Sequence, residues 1–496
     1  MPFHIPWGEI LLVVHVSIVV GLMIRVLYHQ RDIGVSVAWL VILFAFPFAG
    51  ALAYALVGEP RLGNDRLRRR DEMTAFYHAF SDSNLIDINH NVSHELDERY
   101  HGISLIAADK TGLVATEGNH LQLLDHDAAI VAAMRHDIQQ AQSSCLLAFY
   151  IIDVQGMIEG LMMDVMAAAE RGVVCSILAD EVGSLGFWRS EWPQKLRQVG
   201  IVVTPALPVG LLRTLFVRAD LRYHRKLLVV DQQIGYTGSF NLVDPCYFKQ
   251  DAGVGQWVDV MMRCEGSMVQ AMAAVCAVDI AVENEPNLQQ VQGWLDRYGA
   301  EALPRPRSVA IADRGIIAQV VPSSPEPGNH AIYATIISAI HSATRRIIIT
   351  TPYFVPDDAL LLALTTAAER GVNVTLVVPK HVDSKLVKYA SRAYYPHLLK
   401  AGVNIAQFTG GLLHAKTLTV DTHYTLFGTV NMDMRSFYLN LEISLQIFDE
   451  KTTKQVVALQ NQYLQQCTYI ELKAWQARAK WWGLVENTVR LFSPLL

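Results

Sequence analysis

Two segments of the chain carry the same reactive side chains at the same spacing. The first reads Tyr223-His224-Arg225-Lys226-Leu227-Leu228-Val229-Val230-Asp231 and is followed by Gly238-Ser239-Phe240-Asn241. The second reads Leu413-His414-Ala415-Lys416-Thr417-Leu418-Thr419-Val420-Asp421 and is followed by Gly428-Thr429-Val430-Asn431. A single histidine on an apolar strand is usually a satisfied structural residue. Here the whole pattern of His, Lys, Asp, Gly and Asn recurs at one offset. Two copies packed about a pseudo-twofold axis bring two imidazoles face to face among two ammonium groups and two amides. Such a centre suits exchange at a phosphodiester. One imidazole attacks phosphorus, the other protonates the departing alkoxide, and the ammonium and amide donors stabilise charge on the equatorial oxygens. Cations of the protein take the place of a metal, so neither a metal nor another cofactor is expected.

These groups need elements to hold them. Strand alternation predicts His224 and Lys226, and likewise His414 and Lys416, on one face, with the apolar residues after them burying the strand. From about Gly118 onwards helical periodicity alternates with apolar strand-like runs, which predicts α/β architecture. The duplication extends beyond the motifs. Ala168-Ala169-Glu170-Arg171-Gly172-Val173 leads into the run Val174 to Leu178, and Ala367-Ala368-Glu369-Arg370-Gly371-Val372 leads into Val374 to Val378. Each has the form of a helix end, a glycine C-cap and a buried strand. Two pseudo-symmetric copies packed face to face are therefore expected. The stretches Glu285 to Pro306 and Ser323 to Gly328, rich in Pro, Glu, Asn and Gly, suit a connector between them. The expected organisation is a hairpin over 1-60, a connector over 61-117, a first α/β domain over 118-300 and a second over 301-496.

The chain has 496 residues, 51% apolar and 18% charged, which excludes a disordered protein. Forty-one Lys and Arg against 47 Asp and Glu give a net charge of -6, so no global basic field exists to hold a nucleic acid. The six cysteines include no CxxC, which argues against a disulfide framework or structural zinc and favours a reducing compartment. No Walker A sequence is present, and Gly253-x-Gly255 lacks the third glycine of a dinucleotide fingerprint. Two stretches, Trp7 to Val26 and the uncharged Val35 to Val57, are long enough to cross about 30 Å of hydrocarbon as helices. The first lacks the basic n-region and A-x-A site of a cleaved signal peptide. Arg61, Arg66, Arg68, Arg69 and Arg70 follow the second stretch, and only Arg25 and Arg31 lie near the turn between them. The positive-inside rule then places the catalytic remainder in the cytoplasm, and the same arginines suit anionic headgroups. Leu472 to Phe492 mixes Trp475, Trp481 and Trp482 with Lys473, Arg478 and Lys480, as either an interfacial helix or one docked on the domain. Val209 to Val217 is either a membrane-facing stretch or an ordinary part of the core.

On these residues the chain resembles the phospholipase D superfamily, whose signature is a paired HxKxxxxD motif, and within it the bacterial cardiolipin synthases of the two-span type. Further segments carry the likeness: Val57-Gly58-Glu59, the stretch from Asp244 to Trp257, Thr351-Pro352-Tyr353-Phe354-Val355-Pro356, Asn431-Met432-Asp433-Met434-Arg435-Ser436 and Ser493-Pro494-Leu495-Leu496. The resemblance implies two phospholipase D-like domains behind a transmembrane hairpin in the bacterial inner membrane. It implies condensation of two phosphatidylglycerol molecules into cardiolipin and glycerol, with the bilayer as partner and no nucleotide or metal. It also implies a catalytic set of His224, Lys226, Asp231, His414, Lys416 and Asp421. His224 is then the nucleophile of a phosphatidyl-histidine intermediate, and His414 acts first as acid and later as base, although a pseudo-symmetric site allows these roles to be exchanged. Lys226, Lys416, Asn241 and Asn431 are expected to bind phosphate oxygens, and Ser239 and Thr429 to add hydroxyl donors. Asp231 and Asp421 fall at the far ends of their strands. Asp259, in Trp257-Val258-Asp259, and Glu442, in Asn440-Leu441-Glu442, are better placed to hold an imidazole Nδ1. A hydrolytic phospholipase D or a membrane-tethered nuclease of the same superfamily is the alternative.

Overall fold

The computed structural model describes residues 7–28, 33–54, 58, 92–208, 220–284, 315–325, 330–491 and 493. Chain contacts separate one unit, Met1–Leu67 with Val209–Leu221, from a second, Arg68–Pro208 with Arg222–Leu496.

In the first unit the helix Trp7–Tyr28 covers the first expected crossing. The second expected crossing is not one helix but two, Ile33–Ala45 and Pro47–Ala53. Proline explains the break. Pro47 has no N–H to give, and it drives Phe46 out of the helical region to φ −132° and ψ 70°. Val26, Leu43 and Tyr54 are buried together, and Trp39 meets the Tyr54 ring edge-on at 5.1 Å. Among the described residues no helix is long and apolar enough to cross a membrane. The arginines expected to set the topology and the stretch 209–217 lie outside the described residues.

The second unit is built on a 16-stranded sheet that passes through both copies of the repeat. In the first copy Ser144–Phe149, Val174–Asp180 and Val202–Ala206 are parallel neighbours. Their counterparts in the second are Arg346–Thr350, Asn373–Pro379 and Asn404–Phe408. The crossover helices Met157–Glu170 and Asp358–Glu369 are followed by Gly172 and Gly371 at φ 93° and 91°, a left-handed turn that favours glycine. Each copy has its own apolar core. The copies join where Thr116–Leu124 runs antiparallel to Ile316–Ser323. Helix Glu98–Thr111, from the expected connector, packs into the second copy, where Tyr100 stacks on Tyr424 at 5.8 Å. The expected boundary near 300 falls outside the described residues.

The motif strands are not continuous through their histidines. Arg222–Tyr223 runs parallel to Asn440–Leu441 of the second copy, whereas Lys226–Val230 lies in the sheet of its own copy. The mirror arrangement holds at the other motif, where Leu412–Leu413 pairs with Trp257–Val258 of the first copy and Thr417–Val420 returns to its own. His224 N–H donates to Leu441 O and His414 N–H to Val258 O, each at 2.9 Å. Each histidine therefore stands at the point where the chain passes from one copy to the other.

Candidate active site

That crossing brings His224, Lys226, His414 and Lys416 into one buried centre. The imidazoles are held across the interface between the copies. His224 Nδ1 is 2.9 Å from Glu442, a residue of the second copy, and His414 Nδ1 is 2.6 Å from Asp259 of the first. With Nδ1 turned to a carboxylate, Nε2 is left for chemistry. Each lysine folds back along its own motif. Lys226 Nζ donates to His224 O at 2.7 Å, and Lys416 Nζ to His414 O at 2.6 Å. An ammonium has three protons, so donors remain for an anion.

The surrounding polar residues are also buried. Thr429 Oγ1 donates to Glu442 Oε2 at 2.6 Å, and Asn440 Nδ2 donates to Oε1 at 3.0 Å. Ser239 Oγ accepts from the Val260 N–H at 2.9 Å. Asn241 Oδ1 accepts from the Ile151 N–H at 3.2 Å, while Asn431 Oδ1 is buried with no hydrogen-bond partner among the described residues. Ser239 and Thr429 therefore sit beside the two carboxylates that hold the histidines, as well as next to the motif.

Burial lowers the basicity of both imidazoles. His224 lies well below its ordinary pKa through burial and the charges of Lys226 and Lys416, and His414 is pushed down to about 4, mainly by burial. Lys226 is lowered to about 8 and Lys416 well below its usual value, again by burial. The two carboxyls diverge. Burial pushes Glu442 up to about 8, against the pull of Lys226 and Thr429. Asp259 feels burial too, but His414 and Lys416 more than offset it and hold the carboxyl below its usual range. An ionised Asp259 favours the imidazolium form of His414 over that of His224.

Asp231 and Asp421 stand apart from this centre. A strand of five residues spans about 15 Å, and Asp231 closes the far end of Lys226–Val230. Its carboxylate accepts from the N–H groups of Gln142, Ser143 and Ser144 and from Ser143 Oγ. Asp421 does the same for Thr344, Arg345 and Arg346 and for Thr344 Oγ1. Both residues have φ 52°, which Asp tolerates better than most residues. They fasten each motif strand to the start of its neighbour. Asp421→Ala is expected to cost about 2–4 kcal/mol of stability, because several amide donors lose a charged acceptor; thermal and urea unfolding measure it. Asp421 has a depressed pKa, so its stabilisation is present above the ordinary carboxylate pKa and lost as pH falls through the folded value.

The histidines have aromatic neighbours that the motif spacing does not name as site residues. The Tyr150 ring lies 4.9 Å from His224 with Lys226 Nζ 5.2 Å above it, and the Trp257 ring lies 4.4 Å from His414. Trp257 was legible in principle, two residues before Asp259 on the same strand face. Tyr150 lies just past the end of a strand and gives no such signal. Arg225, inside the motif, is buried and bonds to Asp279, to Glu442 O and to Ser323 O. Ala415 takes its place in the second copy, so the two halves of the site are not equivalent.

The family model described as "Cardiolipin synthase, PLD-like domain" matches residues 134–251 and 336–464, and that described as "Phospholipase_D-nuclease N-terminal" matches residues 17–59. The chain is 38% identical over 483 residues to cardiolipin synthase A of Erwinia tasmaniensis, covering 97% of this chain and 96% of that one. It is also 38% identical over 494 residues to cardiolipin synthase A of Escherichia coli, with the same coverage. The crystal structure of phosphatidylserine synthase from Haemophilus influenzae Rd KW20 shares the fold, with a TM-score of 0.57 at 15% identity over 76% of this chain and 95% of that one.

Proposed function

The chain belongs to the cardiolipin synthase family with paired phospholipase D-like domains, and from that membership we propose that it condenses two phosphatidylglycerol molecules through a phosphatidyl-histidine. It is a phosphatidyltransferase of phospholipid biosynthesis. The observation that carries the mechanism is the crossed pairing of His224 with Glu442 and His414 with Asp259 in one buried centre.

His224 Nε2 attacks the phosphorus of the donor, the N–P bond forms, and the P–O bond to glycerol breaks. His414 Nε2–H supplies the proton that the glycerol oxygen takes. The primary hydroxyl of the second phosphatidylglycerol then gives its proton to His414 and attacks phosphorus, releasing His224 and completing cardiolipin. Asp259 supports these roles, because its carboxylate stabilises the protonated His414. The phosphodiester anion offsets the lysine charges that, together with burial, keep both imidazoles neutral. Lys226, Lys416 and the amides of Asn241 and Asn431 meet the equatorial oxygens. Burial also favours transfer over hydrolysis, since a lipid hydroxyl must outcompete water.

The lipid substrates suit a protein held at a bilayer. On the N-terminal helices Val13, Ile24, Val41, Phe44 and Leu52 are exposed, an apolar surface of the kind that meets lipid. We place this hairpin in the inner membrane with the catalytic copies on the cytoplasmic side. The C-terminal helix Trp481–Arg490 docks through Trp482 on Tyr389 and through Glu486 on Arg392, yet leaves Trp481, Leu484 and Leu491 exposed, as an interfacial element does.

Detergent-solubilised protein given phosphatidylglycerol without added metal is expected to yield cardiolipin and glycerol. Phosphatidic acid as the only lipid product favours the hydrolytic alternative, and no product refutes both. The pH profile carries a second expectation. Lys226 loses its ammonium as pH rises through about 8, whereas an ordinary lysine keeps it to about 10. The kcat/KM of the free enzyme therefore falls above about pH 8. Lys416, also lowered by burial, shares that limb, so it is any residual activity of Lys226→Arg/Lys416→Arg that lacks it, because guanidinium stays charged.

A further inference from the structure

The second copy also holds a cavity of about 170 Å³, lined in part by Phe354, Lys380, His381, Lys388 and Arg392, and no acidic side chain lines it. It opens beyond the C-terminal ends of Arg346–Thr350 and Asn373–Pro379, the edge at which open α/β sheets take ligands. Arg392 is held by Glu486 at 2.8 Å, so the cavity's charge comes from Lys380 and Lys388.

The duplication makes this charge a departure from symmetry. Both copies carry the sequence Ala-Ala-Glu-Arg-Gly-Val before the strand in question, but the first continues past it as Asp180-Glu181-Val182 and the second as Pro379-Lys380-His381. The first copy is acidic where the second is basic. There Asp180 accepts from the N–H groups of Val182, Gly183 and Tyr223, which closes its loop.

A chain of contacts links the cavity's loop to the His414 side of the reaction centre. Asp383, in the same loop, accepts from Tyr353 OH at 2.7 Å and from Lys249 Nζ at 3.2 Å. Lys249 Nζ lies 5.6 Å from the Trp257 ring, itself 4.4 Å from His414. On the other wall Phe354 pairs with Met432, the residue after Asn431.

A pseudo-symmetric catalyst that joins a donor to an acceptor needs a feature that tells them apart. The reacting phosphate occupies the lysines beside the histidines, while the acceptor brings a second phosphodiester monoanion that needs cations of its own. We infer that this cavity receives the phosphodiester of the acceptor lipid, with Lys380 and Lys388 as its cationic partners and His381 beside them. The inference rests on the transfer reaction proposed above. It gives His414 the side of the site from which the second hydroxyl arrives.

The test compares the chain with Lys380→Ala/Lys388→Ala and Lys380→Glu/Lys388→Glu, each given phosphatidylglycerol in mixed micelles with and without a short uncharged alcohol as competing acceptor. Loss of charged contacts is expected to lower cardiolipin formation about tenfold or more, most in the glutamate variant, with more phosphatidic acid formed in its place. Transfer to the alcohol, which also reports an intact fold, changes less than about twofold, the range expected of residues away from the chemistry. Equal losses on both acceptors, or undiminished cardiolipin, overturn the inference. Inorganic phosphate separates a free anion from a lipid headgroup. Selective inhibition of lipid transfer in the unmodified chain places the anion in the cavity, and equal inhibition of both transfers places it at the histidines and counts against the cavity. If the unmodified chain makes no cardiolipin, the proposed function fails instead.

Discussion

His224→Ala and His414→Ala are each expected to lower cardiolipin formation by about a thousandfold or more, since the first removes covalent catalysis and the second general acid–base catalysis from the turnover. The two variants separate when the leaving group is changed. A phosphatidyl ester of a nitrophenol departs without a proton, so His414→Ala still forms the covalent lipid–enzyme adduct and releases a burst of nitrophenolate. His224→Ala gives neither burst nor adduct. Rapid quench followed by peptide mass spectrometry then locates the lipid on His224. A lipid-bearing His414 peptide would reverse the assignment, and near-normal transfer by either variant would end the paired-histidine mechanism.

The second large effect is expected at Asp259. Its carboxylate belongs to the first copy but holds the histidine of the second at 2.6 Å. Asp259→Asn keeps the shape and removes the charge. His414 then loses both its preferred tautomer and the anion that stabilises its protonated form, a change that costs about 10⁴-fold in a Ser-His-Asp triad. Transfer of phosphatidylglycerol should suffer far more than release of nitrophenolate, because only the former needs a proton from His414. A merely structural carboxylate would depress both alike and lower the unfolding temperature. Glu442, pushed up to about 8 by burial, is largely uncharged at neutral pH, so Glu442→Gln is expected to cost less than Asp259→Asn and to affect both reactions alike, because His224 serves both.

The duplicated motif was legible because identical spacing in two segments is improbable without a shared role, and because apolar runs after each histidine forecast strands. The α/β architecture and the two copies followed from the same periodicity. Asp259 and Glu442 could be named as candidate orienters, since each stands on a short apolar run beyond its motif. Which histidine each would hold could not be read. That pairing depends on Arg222–Tyr223 and Leu412–Leu413 leaving their own copies to pair with the other, and no local pattern records an exchange between segments far apart in sequence. The second apolar stretch breaks into two helices, Ile33–Ala45 and Pro47–Ala53, which hydropathy does not foresee because it does not register the N–H that Pro47 lacks.

By itself the sequence determined the chemistry available: two imidazoles, two ammonium groups and two amides at matched spacing, without the sequence signature of a nucleotide site. It determined the repeat and the apolar N-terminus as well. Tertiary structure alone decided how those groups are shared. The chain crosses between copies at each histidine, so each imidazole is held by a carboxylate of the opposite copy and neither half of the site is complete alone. Asp231 and Asp421, although fixed in the same motif, are carried to the far ends of their strands, where backbone amides of the neighbouring strands claim them. The physical reason is the same in both cases. Hydrogen-bond partners are set by distance in the folded chain, and a strand that separates two ends of a motif can place one at the centre and the other at the periphery.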